Sequence, residues 1–260
     1  MKNADQESVS LPLLMDYQIE HLWRCPYRLQ KAEQKPNRRQ SWDWEHHVQY
    51  AVGHALSEYY HLRPEVRNEI PLQYMLEKWW PKRPDGFESV THYWEMKHQI
   101  TAGIYKVGTS NQDLGVPVLL YEQFRTPIPD LAIELSVIIQ AMWQQADQGQ
   151  PMLVQKYLVS YHEAVVEAYR HLVTIFCHYA FGRLPSSIEV FCLLENRRLT
   201  FFTHRQSLSQ AMDYVALLRD SLKDVQRSSR ECQCASCVSR RMSYLNRVES
   251  AGEGPGRLLS

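Results

Sequence analysis

The stretch 131–143, LAIELSVIIQAMW, decides the fold. Ile133, Leu135, Val137 and Ile139 recur at every second position, with Glu134, Ser136 and Gln140 among the residues between them. A period of two puts alternate side chains on opposite faces of a strand. The competing reading is a helix over 131–146 started by Pro129-Asp130, because proline suits a first helical turn. The flanks favour the strand. VPVLLYEQF, 116–124, is rich in β-formers and closes at RTPIPD, while the turn QADQGQP leads into a short apolar run, MLVQKYLVS, at 152–160. Together they read as three successive strands in a meander.

Outward from this meander the pattern is helical on the amino-terminal side. Residues 44–62 place Trp44, Val48, Ala51, Val52, Ala55, Leu56 and Tyr59 at helical spacing, and Arg63-Pro64 ends the run. A second helix is predicted over 69–80 and a third from Phe87 to about Lys106, before the loop GTSNQDLG. On the carboxyl side a long helix spans 161–182, closed by Gly182 and Pro185. Residues 188–194 and 198–203 form a hairpin across ENR, and a helix over 206–222 follows. That order predicts an α/β protein with a mixed central sheet flanked by helices. The expected division is a flexible 1–13, a single domain over 14–247 and a disordered tail over 248–260. Within the domain, 14–110 is largely helical, and 111–247 holds the sheet core and a cysteine segment.

The chain has 260 residues, 44% of them apolar, enough for one sizeable core. Its start has no apolar segment of signal-peptide type, and no run approaches the ~18 residues that span a bilayer. A cytoplasmic protein without a membrane partner is expected. Net charge is zero, which argues against a general polyanion binder, yet the distribution is uneven. Residues 22–39 carry +5 and residues 223–247 carry +4, leaving −9 for the remainder.

Cysteines lie in both basic segments. Cys177 and Cys192 sit in apolar runs and read as core. Cys232, Cys234 and Cys237, in RECQCASCVSRR, form C-x-C-x2-C, a spacing that lets several thiolates wrap one soft metal centre. Zinc and an iron–sulfur cluster both fit, and each needs a fourth ligand. The nearest unassigned cysteine is Cys25, 207 residues upstream in HLWRCPYRLQ.

A Cys-Pro-aromatic-Arg turn answered by a carboxyl-terminal cysteine cluster resembles the RecB/AddB-like branch of the PD-(D/E)XK nucleases, which includes the CRISPR-associated RecB-like exonucleases. The resemblance runs from about residue 14 to 245 and includes HLVTIFCHYAFGRLPSSIEVFCLLENRRLTFF, 171–202. It implies a restriction-endonuclease-like sheet and a cysteine clip holding a 4Fe-4S cluster, with zinc as the alternative. The implied ligands are Cys25, Cys232, Cys234 and Cys237. The family's third tail cysteine falls about six residues after its C-x2-C pair, where this chain has Ser243, so Cys232 substitutes from the other side. A clip of this kind brings the two basic segments together. Arg24, Arg28, Lys31, Arg38, Arg39, Arg230, Arg240 and Arg241 then become candidate DNA contacts, with Trp23 and Tyr27 for stacking.

The resemblance also implies where catalysis would sit. Family members place an acid on one strand and Asp/Glu-x-Lys on the next, to hold Mg²⁺ or Mn²⁺. Here Gln140 stands for the first acid, and Gln155 and Tyr157 for the acid and lysine. A shift of one keeps Lys156 but puts Val154 in place of the carboxylate. The family's helix histidine corresponds to Gly53, or to His54 after a slip, and its later glutamine falls near His171. Neutral side chains cannot replace two carboxylates around a hard divalent cation. A relocated site would need Glu122, Glu134 or Glu163. His47, His54 and His61 are spaced seven apart, ~10 Å per step, and read as structural.

The expectation is therefore a catalytically degenerate nuclease-fold protein that binds DNA, single-stranded or at a duplex end, or scaffolds a complex with a helicase or another subunit. An active Mg²⁺- or Mn²⁺-dependent nuclease is the alternative. A zinc-clipped protein-interaction module, with Trp79-Trp80 at its surface, is the second.

Overall fold

A computed structural model describes residues 11–24, 44–144 and 152–227. LAIELSVIIQAMW forms a strand from Ile133 onward: β3 spans Ile133–Gln144, and Ile133, Leu135, Val137 and Ile139 are all buried. Before it come β1 (Leu13–Met15), α1 (Asp16–Arg24), α2 (Trp44–His61), α3 (Pro64–Glu69), α4 (Leu72–Trp79), α5 (Val90–Ser110) and β2 (Leu119–Ile128). After it come β4 (Met152–Leu158), α6 (Glu163–Phe181), β5 (Ser187–Cys192), β6 (Arg197–Phe202) and α7 (Arg205–Arg227). Among the described residues the strands make one six-stranded mixed sheet with helices on both faces, an α/β architecture.

β3 is the axis of that sheet. β2 runs antiparallel along its length, from Leu119 opposite Met142 to Ile128 opposite Ile133. The other edge of β3 is shared by two strands. β1 pairs in parallel with Glu134–Ser136, and β4 pairs antiparallel with Ala141–Gln144. Between those pairings the sheet forks. Beyond β4 the order continues with β5, parallel, and β6, antiparallel.

Each face buries its own apolar cluster. On one side Ile19 and Leu22 of α1, Leu172 and Phe176 of α6, and Val215 and Leu218 of α7 pack on Leu135, Val137 and Val154. On the other, Leu56 and Tyr60 of α2, Leu76 of α4 and Ile104 of α5 pack on Trp143 and Tyr157. Ile139 belongs to the first cluster and Ala141 to the second, although strand alternation puts i and i+2 on one face. On the facing strand Tyr121 has a φ of 51°, a conformation that bulky side chains rarely adopt. The pleat changes sides at this point of the sheet, beside Gln140.

Several boundaries differ from the sequence reading, β2 among them, which spans 119–128 and runs through the expected RTPIPD close. The helix predicted over 69–80 is two helices, because Pro71 has no N–H to donate and disfavours helical backbone at Ile70. Pro64 begins a helix instead of merely ending one. α5 starts at Val90, where the Ser89 hydroxyl accepts the His92 N–H at 3.0 Å, and it continues through Gly108 to Ser110. Trp79-Trp80 is not a surface pair. Trp80 is fully buried, while Trp79 stacks on His54 and donates its indole N–H to Glu58.

Candidate functional site

The fork between β3 and β4 is where the expected catalytic positions meet. Where β4 leaves β3, its backbone groups lose ladder partners, and a buried unpaired group costs about 1–3 kcal/mol. Glutamine side chains take over. Gln140 Oε1 accepts the Tyr157 N–H at 2.6 Å. Gln49 of α2 donates to the Tyr157 carbonyl at 2.9 Å and accepts the Val159 N–H at 3.1 Å. On the β3 side, Asp16 Oδ2 accepts the Ile138 N–H at 3.1 Å. Gln140 is thus spent on the backbone of the next strand.

Gln155 and Tyr157 point to the face covered by α2 and α5, in a closed amide–phenol network. Asn111 Nδ2 donates to the Tyr60 hydroxyl at 2.7 Å and to Gln155 Oε1 at 2.9 Å. Gln155 Nε2 donates to Asn111 Oδ1 at 3.0 Å and to Glu189 Oε2 at 2.8 Å, and the Tyr157 hydroxyl donates to Gln155 Oε1 at 2.6 Å. Glu189, buried on β5, is also held by Arg198 of β6. Burial pushes the Tyr60 phenol up to about 12 and Tyr157 well above the usual phenol value, so both hydroxyls stay protonated. Beside this network lies a pocket of about 540 Å³, lined by Asn111, Gln155, Ser187, Glu189, Arg198 and Phe202 among others.

Lys156 points to the opposite face. Its ammonium lies 3.0 Å from Glu20 Oε1 and 3.9 Å from Asp16 Oδ2, both on α1, and 4.8 Å from the centre of the Tyr169 ring. Desolvation raises the Asp16 pKa, with Lys156 opposing it. Asp16 and Glu20, four residues apart on one helix, escaped the sequence reading. The only sequence signal was an acidic first turn before an amphipathic run. Tyr169, also in this cluster, lies on α6, within the helix predicted over 161–182.

His171 does not join either group. It stacks on Tyr214 of α7 at 4.5 Å, and burial with Arg170 alongside lowers its pKa to about 4. The Glu167 carboxylate, 3.7 Å away, therefore faces a neutral ring at pH 7. Gly53 faces the fork, since a Cβ there would lie 3.4 Å from the Tyr121 ring, whereas His54 is held between Tyr50 and Trp79. Glu122 is exposed on β2, Glu163 is exposed at the start of α6, and Glu134 lies beside β1. No group of three or more metal-ligating side chains occurs among the described residues.

Cys177 and Cys192 are core, as expected, and burial raises their thiols to about 12 and about 11. Cys25, Cys232, Cys234 and Cys237 lie outside the described residues, as do Arg28, Lys31, Arg38, Arg39, Arg230, Arg240 and Arg241. Arg24 closes α1. Among the described residues no helix is long and apolar enough to cross a membrane. In comparisons with known proteins, no family model and no curated protein matches the chain.

Proposed function

We propose that the chain is a RecB-like nuclease-fold protein that has lost cleavage chemistry and binds DNA, as a binding or scaffolding subunit in repair, recombination or defence. The observation that carries this reading is the pair Gln140 and Gln155. Both are buried, on neighbouring strands, and committed to structural hydrogen bonds where hard-metal ligands would be needed. The meander followed by helix, parallel strand and hairpin supports the fold that the resemblance implies. The clip draws support from two sides. With Cys177 and Cys192 in the core, four cysteines are left, the number that a 4Fe-4S cluster or zinc requires. α1 and α7, which precede Cys25 and Cys232, also pack into the same face of the sheet.

DNA binding measured against salt, on single-stranded and duplex substrates, tests the main reading. Affinity should fall steeply with salt, and the slope should shrink when Lys and Arg at 24–39 and 223–247 are changed. Affinity indifferent to those changes would overturn it. The visible absorption of freshly purified protein separates an iron–sulfur clip from a zinc one.

The alternative of an active nuclease with a relocated site, expected to use Glu122, Glu134 or Glu163, could instead draw on Asp16, which meets β3 at the Ile138 N–H, and Glu20. It is disfavoured because the Lys156 ammonium already supplies the positive charge between them. Cleavage of end-labelled DNA with Mg²⁺ or Mn²⁺, abolished by Asp16→Asn, would establish it in place of the main reading.

A further inference from the structure

We propose that the cleft beside Gln155 binds a guanine base carrying a phosphate, either as a free nucleotide or in a nucleic-acid strand. The inference concerns this pocket alone and stands whether or not the basic termini bind DNA.

The floor of the cleft is a grid set by strand register. Leu153 lies opposite Ser187, which lies opposite Phe202, and one pleat along, Gln155 lies opposite Glu189, which lies opposite Thr200. Strand spacing makes two rows across three strands roughly 10 Å by 7 Å, about the footprint of a purine. α5 ends at Ser110, short of these rows, so the grid stays open and the cleft reaches about 540 Å³.

The hydrogen-bonding inventory of the floor selects the ligand. Both amide hydrogens of Gln155 are used, on Asn111 Oδ1 and Glu189 Oε2, and both of Asn111 are used, on Tyr60 and Gln155. What Gln155, Asn111 and Glu189 have left is acceptor capacity, while the Ser187 and Thr200 hydroxyls in the same rows can donate or accept. A carboxylate offers about four lone-pair sites, and Glu189 has Gln155 on one oxygen and Arg198 on the other. A ligand that meets Glu189 and the Gln155 oxygen must present adjacent donors. Among the bases guanine does so, with its N1–H and N2 amine side by side. Phe202, 78% exposed at the rim, provides a face for stacking.

The phosphate has a place next door. A smaller depression shares Ser110 and Arg198 with the cleft and adds Lys106 and Arg197. Lys106 and Arg198 thus lie at one end of the floor, where they can hold an anionic tail, while the Arg197 guanidinium lies 4.7 Å from the centre of the Tyr161 ring.

Calorimetric titration of the whole chain with GMP, IMP, AMP and guanosine tests the assignment. GMP should bind at least about tenfold more tightly than AMP, and also than IMP, which lacks the N2 amine. Phe202→Ala and Lys106→Ala alter exposed side chains and leave the buried network intact. The first should weaken GMP about tenfold, and the second should weaken GMP while leaving guanosine unchanged. A 5′-phosphorylated oligonucleotide with a terminal guanosine forms the second arm. Preference for it over GMP assigns the site to a strand, and equal or weaker binding assigns it to the free nucleotide. Absence of saturable binding in both arms, equal affinity for AMP and GMP, or indifference to Phe202→Ala would overturn the proposal.

Discussion

Gln140, Gln49 and Asp16 each supply a hydrogen bond that a neighbouring strand would supply in a continuous sheet. Replacing Gln140 with Leu strands the Tyr157 N–H, so we expect a loss of about 1–3 kcal/mol in urea unfolding. Gln49→Leu strands two groups and should cost more. His171 gives a pH signature. Its folded pKa of about 4 lies below the ordinary value, so folding favours the neutral ring. The associated stability is present above about pH 6.5 and is lost as pH falls toward 4. His171→Phe keeps the stack on Tyr214 without the proton. Wild type should therefore weaken relative to the variant across that interval, by on the order of 1 kcal/mol or more for this buried ring. Parallel unfolding curves at each pH measure the difference. At this scale the neutral character of 140 and 155 was legible from residue type alone. Asp16 and Glu20 were not, because their partner Lys156 lies on a strand far along the chain and no local pattern marks the meeting.

The elements were mostly legible because β3 alternates and α2, α6 and α7 carry clear helical stripes. β1 was missed, being three residues long and too short to show a period. The change of face between Ile139 and Ala141 was also hidden, since it depends on the backbone of Tyr121 and not on side-chain type. Helix α5 meets the β5–β6 turn at Gly103, where an added Cβ would lie 2.5 Å from the Leu193 carbonyl oxygen. Gly103→Ala should therefore destabilise by roughly 1–3 kcal/mol through overpacking, despite a helix-propensity gain of about 1 kcal/mol. Gly53→Ala provides the control. Its Cβ would make an ordinary contact with the Tyr121 ring, so the propensity gain should leave stability unchanged or raised. Melting temperatures of the two variants should move in different directions, by roughly 2–4 °C per kcal/mol for a protein of this size.

At the scale of the whole molecule, two apolar clusters are separated by one sheet, and α1 reaches that sheet through both apolar and ionic contacts. Lys156→Met removes the cation that faces Asp16 and Glu20, leaving a buried carboxylate without its partner. Breaking a buried pair in this way costs about 3–5 kcal/mol. Hydrogen exchange should quicken first across 13–24, with the α2–α5 layer little changed. Uniform loss of protection would show instead that α1 and the sheet unfold as one unit.

The shared edge of β3 also imposes an order on synthesis. Leu14 must wait for Leu135, about 120 residues later, before its strand has anywhere to pair. At about 5–20 residues per second the interval is roughly 6–24 s, during which Ile19 and Leu22 have no sheet to cover. The first strand made thus waits for the third, and it can be seated before β4, β5 and β6 have been made. The growing chain must keep α1 from sticking elsewhere until then.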